Sequence, residues 1–280
     1  MSQQYLRNVS VRCTDKNGLQ KAFNGLRVTF EITKSEDSSA NKANIKVYNL
    51  NKNSRSFVED QQLTVELLVG YKGTRGTETL AQLFIGNMGE KGIGRTYSER
   101  MGQEWVTTFE VGDGEKQLNE SHVELSFDKG VPFPAIISQV VQSFGLPLGS
   151  VQPVGEGIAA NGFTASGRAK DVMDKLASRF GFNWSIQNNS VQITREGVPT
   201  PETAVVLSPQ TGLIGNVTKR EKGIELRALL NPQIVPGRIL SVINSAQVTA
   251  GFFKTTSAKY VGDNYGEDWT VSVEAIPALG

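Results

Sequence analysis

Apolar and polar residues alternate one for one through much of the first hundred positions. Leu26, Val28, Phe30 and Ile32 fall on one face of a segment whose other face carries Arg27, Thr29 and Glu31. A period of two predicts a strand with one wet side. Ile45 and Val47 repeat the pattern within 44–50, and 63–69, 80–85 and 104–111 follow, separated by stretches rich in Gly, Ser and Asn. Several short strands with polar turns predict a small antiparallel barrel or sandwich over residues 1–113. Between the first two strands, 34–43 holds no apolar residue larger than alanine. It reads as a long solvated hairpin loop, either mobile or ordered by contact with a partner.

The period changes over 114–198. Ile136, Ile137, Val140, Val141 and Phe144 form one helical stripe, opened by Pro134 and closed by Gly145. A second helix is predicted from about Gly167 to Phe180, with Ser166 as N-cap and Gly181 just past its end. Its apolar positions are Ala169, Val172, Met173, Leu176, Ala177 and Phe180, at helical spacing. Then 182–186 and 191–194 alternate around the turn residues of 187–190, which predicts a hairpin.

Strand patterning returns over 199–280, after a stiff Pro199-Thr200-Pro201 crossing. Candidate strands are 224–230, 238–243, 252–261 and 269–276, the last two joined by a turn of residues that tolerate positive φ. The first and third sections can be read in the same order, ending in Trp105–Val111 (WVTTFEV) and Trp269–Ala275 (WTVSVEA). Either the chain contains an internal repeat, or these are the chance likenesses of β sequences. The fold class expected is mainly β with an α+β insert. Two small antiparallel β-barrel or sandwich domains, 1–113 and 199–280, would flank an α+β module at 114–198.

Composition narrows the function classes. The 280 residues include 29 basic and 28 acidic side chains, for a net charge of +1, which argues against a dedicated nucleic-acid binder. With a single cysteine, Cys13, an intrachain disulfide is impossible. The first eight residues lack the features of a signal peptide, and no run approaches the roughly 18 apolar residues of a membrane span. The chain is expected to stay in solution until it assembles.

Candidate chemistry is sparse. His122 is the only histidine, and no Gly-x-Ser-x-Gly elbow accompanies it, so a packing or surface role is expected. One His and one Cys supply too few ligands for zinc. Nothing near Cys13 in sequence would lower its pKa. The glycine-rich Gly89–Arg95 lacks the Gly-Lys-Ser/Thr ending of a phosphate loop, and the acidic turn Gly262–Asp268 lacks the ligand spacing of a calcium loop. Trp105, Trp184 and Trp269 all lie in predicted strands, where packing is the default role. No catalytic, cofactor-binding or metal-binding residue is expected.

Ala43–Leu50 (ANIKVYNL), Val65–Tyr71 (VELLVGY) and Gln82–Gly86 (QLFIG) together resemble the opening domain of bacteriophage tail hub proteins. Gly162–Arg168 (GFTASGR), Leu176-Ala177 and Gly181–Gln187 (GFNWSIQ) resemble that family's middle module. Leu230–Arg238 (LNPQIVPGR) and Gly262–Trp269 (GDNYGEDW) resemble its closing domain. Each motif is a turn beside a strand; their joint order carries the resemblance. It implies a structural, non-enzymatic baseplate hub of a contractile tail, located in the virion and assembled in the host cytoplasm. Such a hub is a homotrimeric ring of tube-like β domains that adapts a hexameric tail tube to a trimeric central spike. Its partners would be the tail tube protein, the central spike protein and other baseplate proteins, with DNA only in transit through the channel and no membrane insertion. Other readings of the residues are a tail-associated cell-wall-degrading enzyme and a monomeric carbohydrate-binding β module.

Overall fold

Each strand predicted from alternation forms a strand, and eight more accompany them. The computed structural model describes residues 6–59, 62–72, 78–88, 94–243 and 250–279. The first section runs β1 (Arg7–Thr14), β2 (Gln20–Asn24), β3 (Val28–Ser35), β4 (Asn41–Tyr48), α1 (Lys52–Val58), β5 (Thr64–Lys72), β6 (Glu78–Asn87), β7 (Arg95–Met101) and β8 (Glu104–Asp113). The middle section runs α2 (Glu115–Glu120), β9 (His122–Phe127), α3 (Phe133–Gln142), β10 (Leu148–Val151), β11 (Phe163–Arg168), α4 (Ala169–Phe180), β12 (Phe182–Gln187) and β13 (Ser190–Arg195). The third section runs β14 (Val205–Leu207), β15 (Leu213–Lys219), β16 (Ile224–Leu229), β17 (Ile239–Val242), β18 (Gly251–Asp263) and β19 (Trp269–Pro277).

The first and third sections build one mainly antiparallel sheet in the order β15-β16-β19-β18-β3-β4-β8-β6-β5-β1-β2, with β14, β17 and β7 branching from it. The sections meet where β18 pairs with β3, from Ser257 opposite Ser35 to Asp263 opposite Thr29. The sheet stays open; it does not close into a barrel among the described residues. Val28, Phe30 and Ile32 point inward as their alternation requires, while Glu31 is exposed. They pack into a single apolar cluster drawn from both sections, which includes Phe109, Leu226, Tyr260 and Trp269. A second cluster belongs wholly to the middle section and joins α3, α4, β12 and β13 through Ile136, Val140, Met173, Leu176 and Trp184.

Helix α3 buries its predicted stripe, with proline at its first turn, and Gly145 beyond it has φ +65°. Helix α4 differs at its start: Ser166 is not its N-cap. β11 pairs with β9 through Ser166 opposite Glu124 to Arg168 opposite His122, and the ladder keeps these residues extended. Arg168 is the N-cap instead, and its guanidinium donates to Asp171 at 3.0 Å. Tertiary pairing here outweighs capping preference. Gly181 ends the helix at φ +65°, donating to Ala177 O at 2.9 Å. The β12–β13 turn places Asn188 and Asn189 at φ +50° and +62°, the two-residue hairpin geometry that asparagine tolerates.

The segment 34–43 also departs from expectation. β3 continues to Ser35 and β4 begins at Asn41, so only 36–40 remains as loop. Lys34 is fully buried and Asn41 is buried too, because the β12–β13 turn packs onto the ends of these strands.

Candidate assembly surfaces

Two sets of strands share one pairing pattern. β3, β4 and β8 pair in succession, and so do β15, β16 and β19. β5 pairs with β6 as β17 pairs with β18. β7 runs along β8 as the second half of β18 runs along β19. The registers correspond as well. In one set Trp105 faces Arg100 and Glu110 faces Arg95; in the other Trp269 faces Gly262 and Glu274 faces Ser257. The single strand β18 therefore answers to β6 and β7 together.

The two sets differ in their neighbours. β18 lies between β19 and β3, whereas β7 pairs only with β8 and β15 only with β16 among the described residues. β7 is thus an open edge where β18 has β3, and β15 is an open edge where β3 has β18. Both edges are polar. β7 carries Arg95, Glu99 and Arg100; β15 ends in Lys219 and contains a register shift between Ile214 and Thr218. Charges and bulges of this kind keep an edge from pairing indiscriminately.

Between the open edges, the polar face of the sheet carries charges of both signs. Lys259 Nζ is 2.5 Å from Glu31, and Arg95 Nε is 2.8 Å from Glu110. Glu31 and Glu110 share an open groove with Lys42 and Glu115. Each of the two is therefore held by a cation.

At one end of the sheet, a buried polar junction ties it to the middle section. Lys254, fully buried, lies 2.8 Å from Glu36 and donates to Arg195 O at 2.8 Å; Thr194 Oγ1 also donates to Glu36, at 2.9 Å. Burial raises the Glu36 carboxyl, and the Lys254 ammonium partly offsets the rise. Nearby, Asn41 donates to Ile186 O at 2.8 Å and Gln187 donates to Ser35 O at 2.6 Å. Sequence reading missed this junction because its members are ordinary polar residues far apart in the chain.

The residues singled out from sequence are dispersed. His122 is exposed on β9, its Nδ1 2.8 Å from Glu120 O. Cys13 is buried between β2 and β5, opposite Lys21 and Val65, and burial pushes its thiol up to about 12. Of Gly89–Arg95, residues 89–93 lie outside the described residues. The acidic turn after β18 receives an arginine. Arg7 donates to Asp263 O at 2.6 Å, Gly266 O at 2.5 Å, Glu267 O at 3.0 Å and Asp268 O at 3.3 Å. Its guanidinium also lies 5.4 Å from the centre of the Trp269 ring. Among the described residues no group of three or more His, Cys, Asp or Glu is placed to hold a metal. Trp184 and Trp269 are core residues, whereas Trp105 is half-exposed beneath the Arg55 guanidinium, 4.0 Å away.

No protein-family model matches the chain, and no curated protein is similar to it in sequence. Solved structures do match it. The 43 kDa tail protein of prophage MuSo2 from Shewanella oneidensis is 10% identical with a TM-score of 0.63, covering 97% of this chain and 99% of that one. A tail protein from Neisseria meningitidis is 9% identical with a TM-score of 0.63, covering 97% of each chain. An Escherichia coli component of the type VI secretion system, described as similar to bacteriophage T4 tail proteins, is 13% identical with a TM-score of 0.58; the match covers 90% of this chain and 74% of that one. These likenesses extend over nearly the whole length, through both β sections and the module between them. The chain has the fold of phage tail proteins.

Proposed function

We propose that the chain is the structural hub of a contractile tail. Three copies close a ring by pairing β7 of one chain with β15 of the next. The observation that carries this reading is the seam between β18 and β3. It joins the two strand sets side by side within one chain, and the same two edges, β7 and β15, are left open among the described residues. A surface that repeats its own internal contact head to tail closes into a ring when the rotation per contact brings the last edge back to the first. With two sets per chain, a trimer presents six similar units, as needed to meet a hexameric tube on one face and a trimeric spike on the other. The ring would pass DNA through a centre lined by the mixed-charge face, with no group arranged to retain it.

Carrying the β18–β3 register onto the open edges sets Glu99 opposite Thr218 and Ser98 opposite Lys219 of the next chain. Directly opposed positions in an antiparallel pair lie about 4.5–5.5 Å apart at Cα, within disulfide reach. The test is the double variant Glu99→Cys/Thr218→Cys, oxidised and run on a denaturing gel. Covalent products ending at trimer are expected, together with light scattering at about three times the 30.4 kDa chain mass. A stable dimer or tetramer, or no cross-linking by a chain that scatters as a trimer, would count against this ring.

A further inference from the structure

A buried amine and a half-buried side-chain amide meet where the sheet touches the middle module. Lys34, fully buried near the end of β3, donates from Nζ to Asn188 Oδ1 at 2.6 Å. The amide carbon is one bond beyond that oxygen. Lys34 forms no ion pair among the described residues; its amine faces the amide, with the Phe84 ring 5.8 Å away on another side. Asp113, also fully buried at the end of β8, grips the same turn. It accepts from Asn188 N at 2.5 Å and from Asn189 N at 2.7 Å. Amine, amide and acid thus meet at one site on three separate elements.

We propose that Lys34 and Asn188 form an intramolecular isopeptide bond, made spontaneously in the folded chain with release of ammonia. Desolvation lowers the Lys34 amine to about 8 and raises the Asp113 carboxyl to about 6, so a neutral nucleophile and a protonated acid are both accessible near neutral pH. The Nζ lone pair forms the new bond to the Asn188 carbonyl carbon. Asp113 gives its proton to the departing amide nitrogen, the old carbon–nitrogen bond breaks, and ammonia leaves. The attacking nitrogen returns a proton to Asp113. One amide replaces another, with no change of oxidation state and no co-reactant. The rival loss of ammonia, attack by Asn189 N on the same carbon to give a succinimide, is disfavoured because that N–H is engaged by Asp113 Oδ1. The bond would join residues 154 positions apart, linking the sheet to the middle module covalently in a chain with one cysteine. Closing so long a loop restricts the unfolded chain as a disulfide does.

Intact mass and peptide mapping of the purified folded chain test this. The wild type is expected to be lighter than its sequence by one ammonia and to yield a branched peptide containing Lys34 and Asn188. Lys34→Met and Asn188→Ala, checked for folding by circular dichroism, should keep their full mass. Asp113→Asn should form the bond about a hundredfold more slowly, as expected for loss of a general acid. A folded wild-type chain of full mass after prolonged incubation overturns the proposal. So does an ammonia loss that persists in Lys34→Met, since the ammonia then comes from elsewhere.

Discussion

Arg7 shows how one side chain can fix a turn that composition alone makes look like a cation site. The carbonyls of Asp263, Gly266, Glu267 and Asp268 converge on its guanidinium, and Asp263 is separately engaged by Arg27 at 2.7 Å. Arg7→Ala should cost about 1–3 kcal/mol, since acceptors lose a charged donor, and a urea titration would read it. Asp113 and Lys34 make a second expectation, for chain in which Lys34 and Asn188 remain unlinked. The folded pKa of Asp113, about 6, exceeds the ordinary carboxylate value, so its contribution is fully present below that ordinary value and is lost as pH rises through 6. Lys34 has the opposite sign: its folded value of about 8 is depressed, so its contribution grows as pH rises above 8. Relative to Asp113→Asn, unlinked chain should gain about 1 kcal/mol from pH 7 to pH 5, measured by urea titration at each pH. A flat difference would show that Asp113 does not titrate there. None of this was visible in the sequence, because neither burial nor a partner 75 or more positions away leaves a local pattern.

Strands with strong alternation were legible, down to which residues turn inward in β3 and β4. The unread ones fail for identifiable reasons. β2 and β7 are short or polar edges, β14 has three residues, and β15 is interrupted by a register shift that breaks its period. The start of α4 was misplaced because β9, a strand far back in the chain, claims Ser166. The same dependence on distant neighbours makes Gly262 a sensitive position. A Cβ there would lie 2.2 Å from the Phe30 ring, in the strand across the seam. Gly262→Ala should therefore destabilise by about 1–3 kcal/mol through overpacking, seen as a lowered thermal midpoint. An unchanged midpoint would mean that Phe30 can rotate away at no cost.

For the molecule as a whole, sequence order gave three sections, but the packing gives two apolar clusters, one shared by both ends of the chain. Periodicity reports which face of an element is buried, not which other element buries it; that is why the merging of the two β sections was not readable. The polar junction holds the two clusters together. Glu36→Ala would leave Lys254 buried without its carboxylate, and a loss of about 3–5 kcal/mol is expected in chemical denaturation. A loss below about 1 kcal/mol would indicate that water reaches Lys254 once Glu36 is gone.

The seam also has a consequence in time. β3 is made early, but its partner β18 lies more than two hundred residues further on. Chains emerge at roughly 5–20 residues per second, so β3 waits on the order of ten seconds or longer before its neighbour exists. The middle module, whose buried apolar residues all lie within 118–193 with only Ala40 packing on from earlier in the chain, takes no apolar residue from the last strands and can settle first. During that interval the flank of β3 is an unpaired strand open to other nascent chains. The exposed Glu31 and Thr33 and the partly exposed Thr29 leave its outer face little apolar surface on which another strand could stack. A ribosome pausing after the middle module would lengthen the interval, and the yield of folded chain would then depend on the speed at which the last eighty residues are translated.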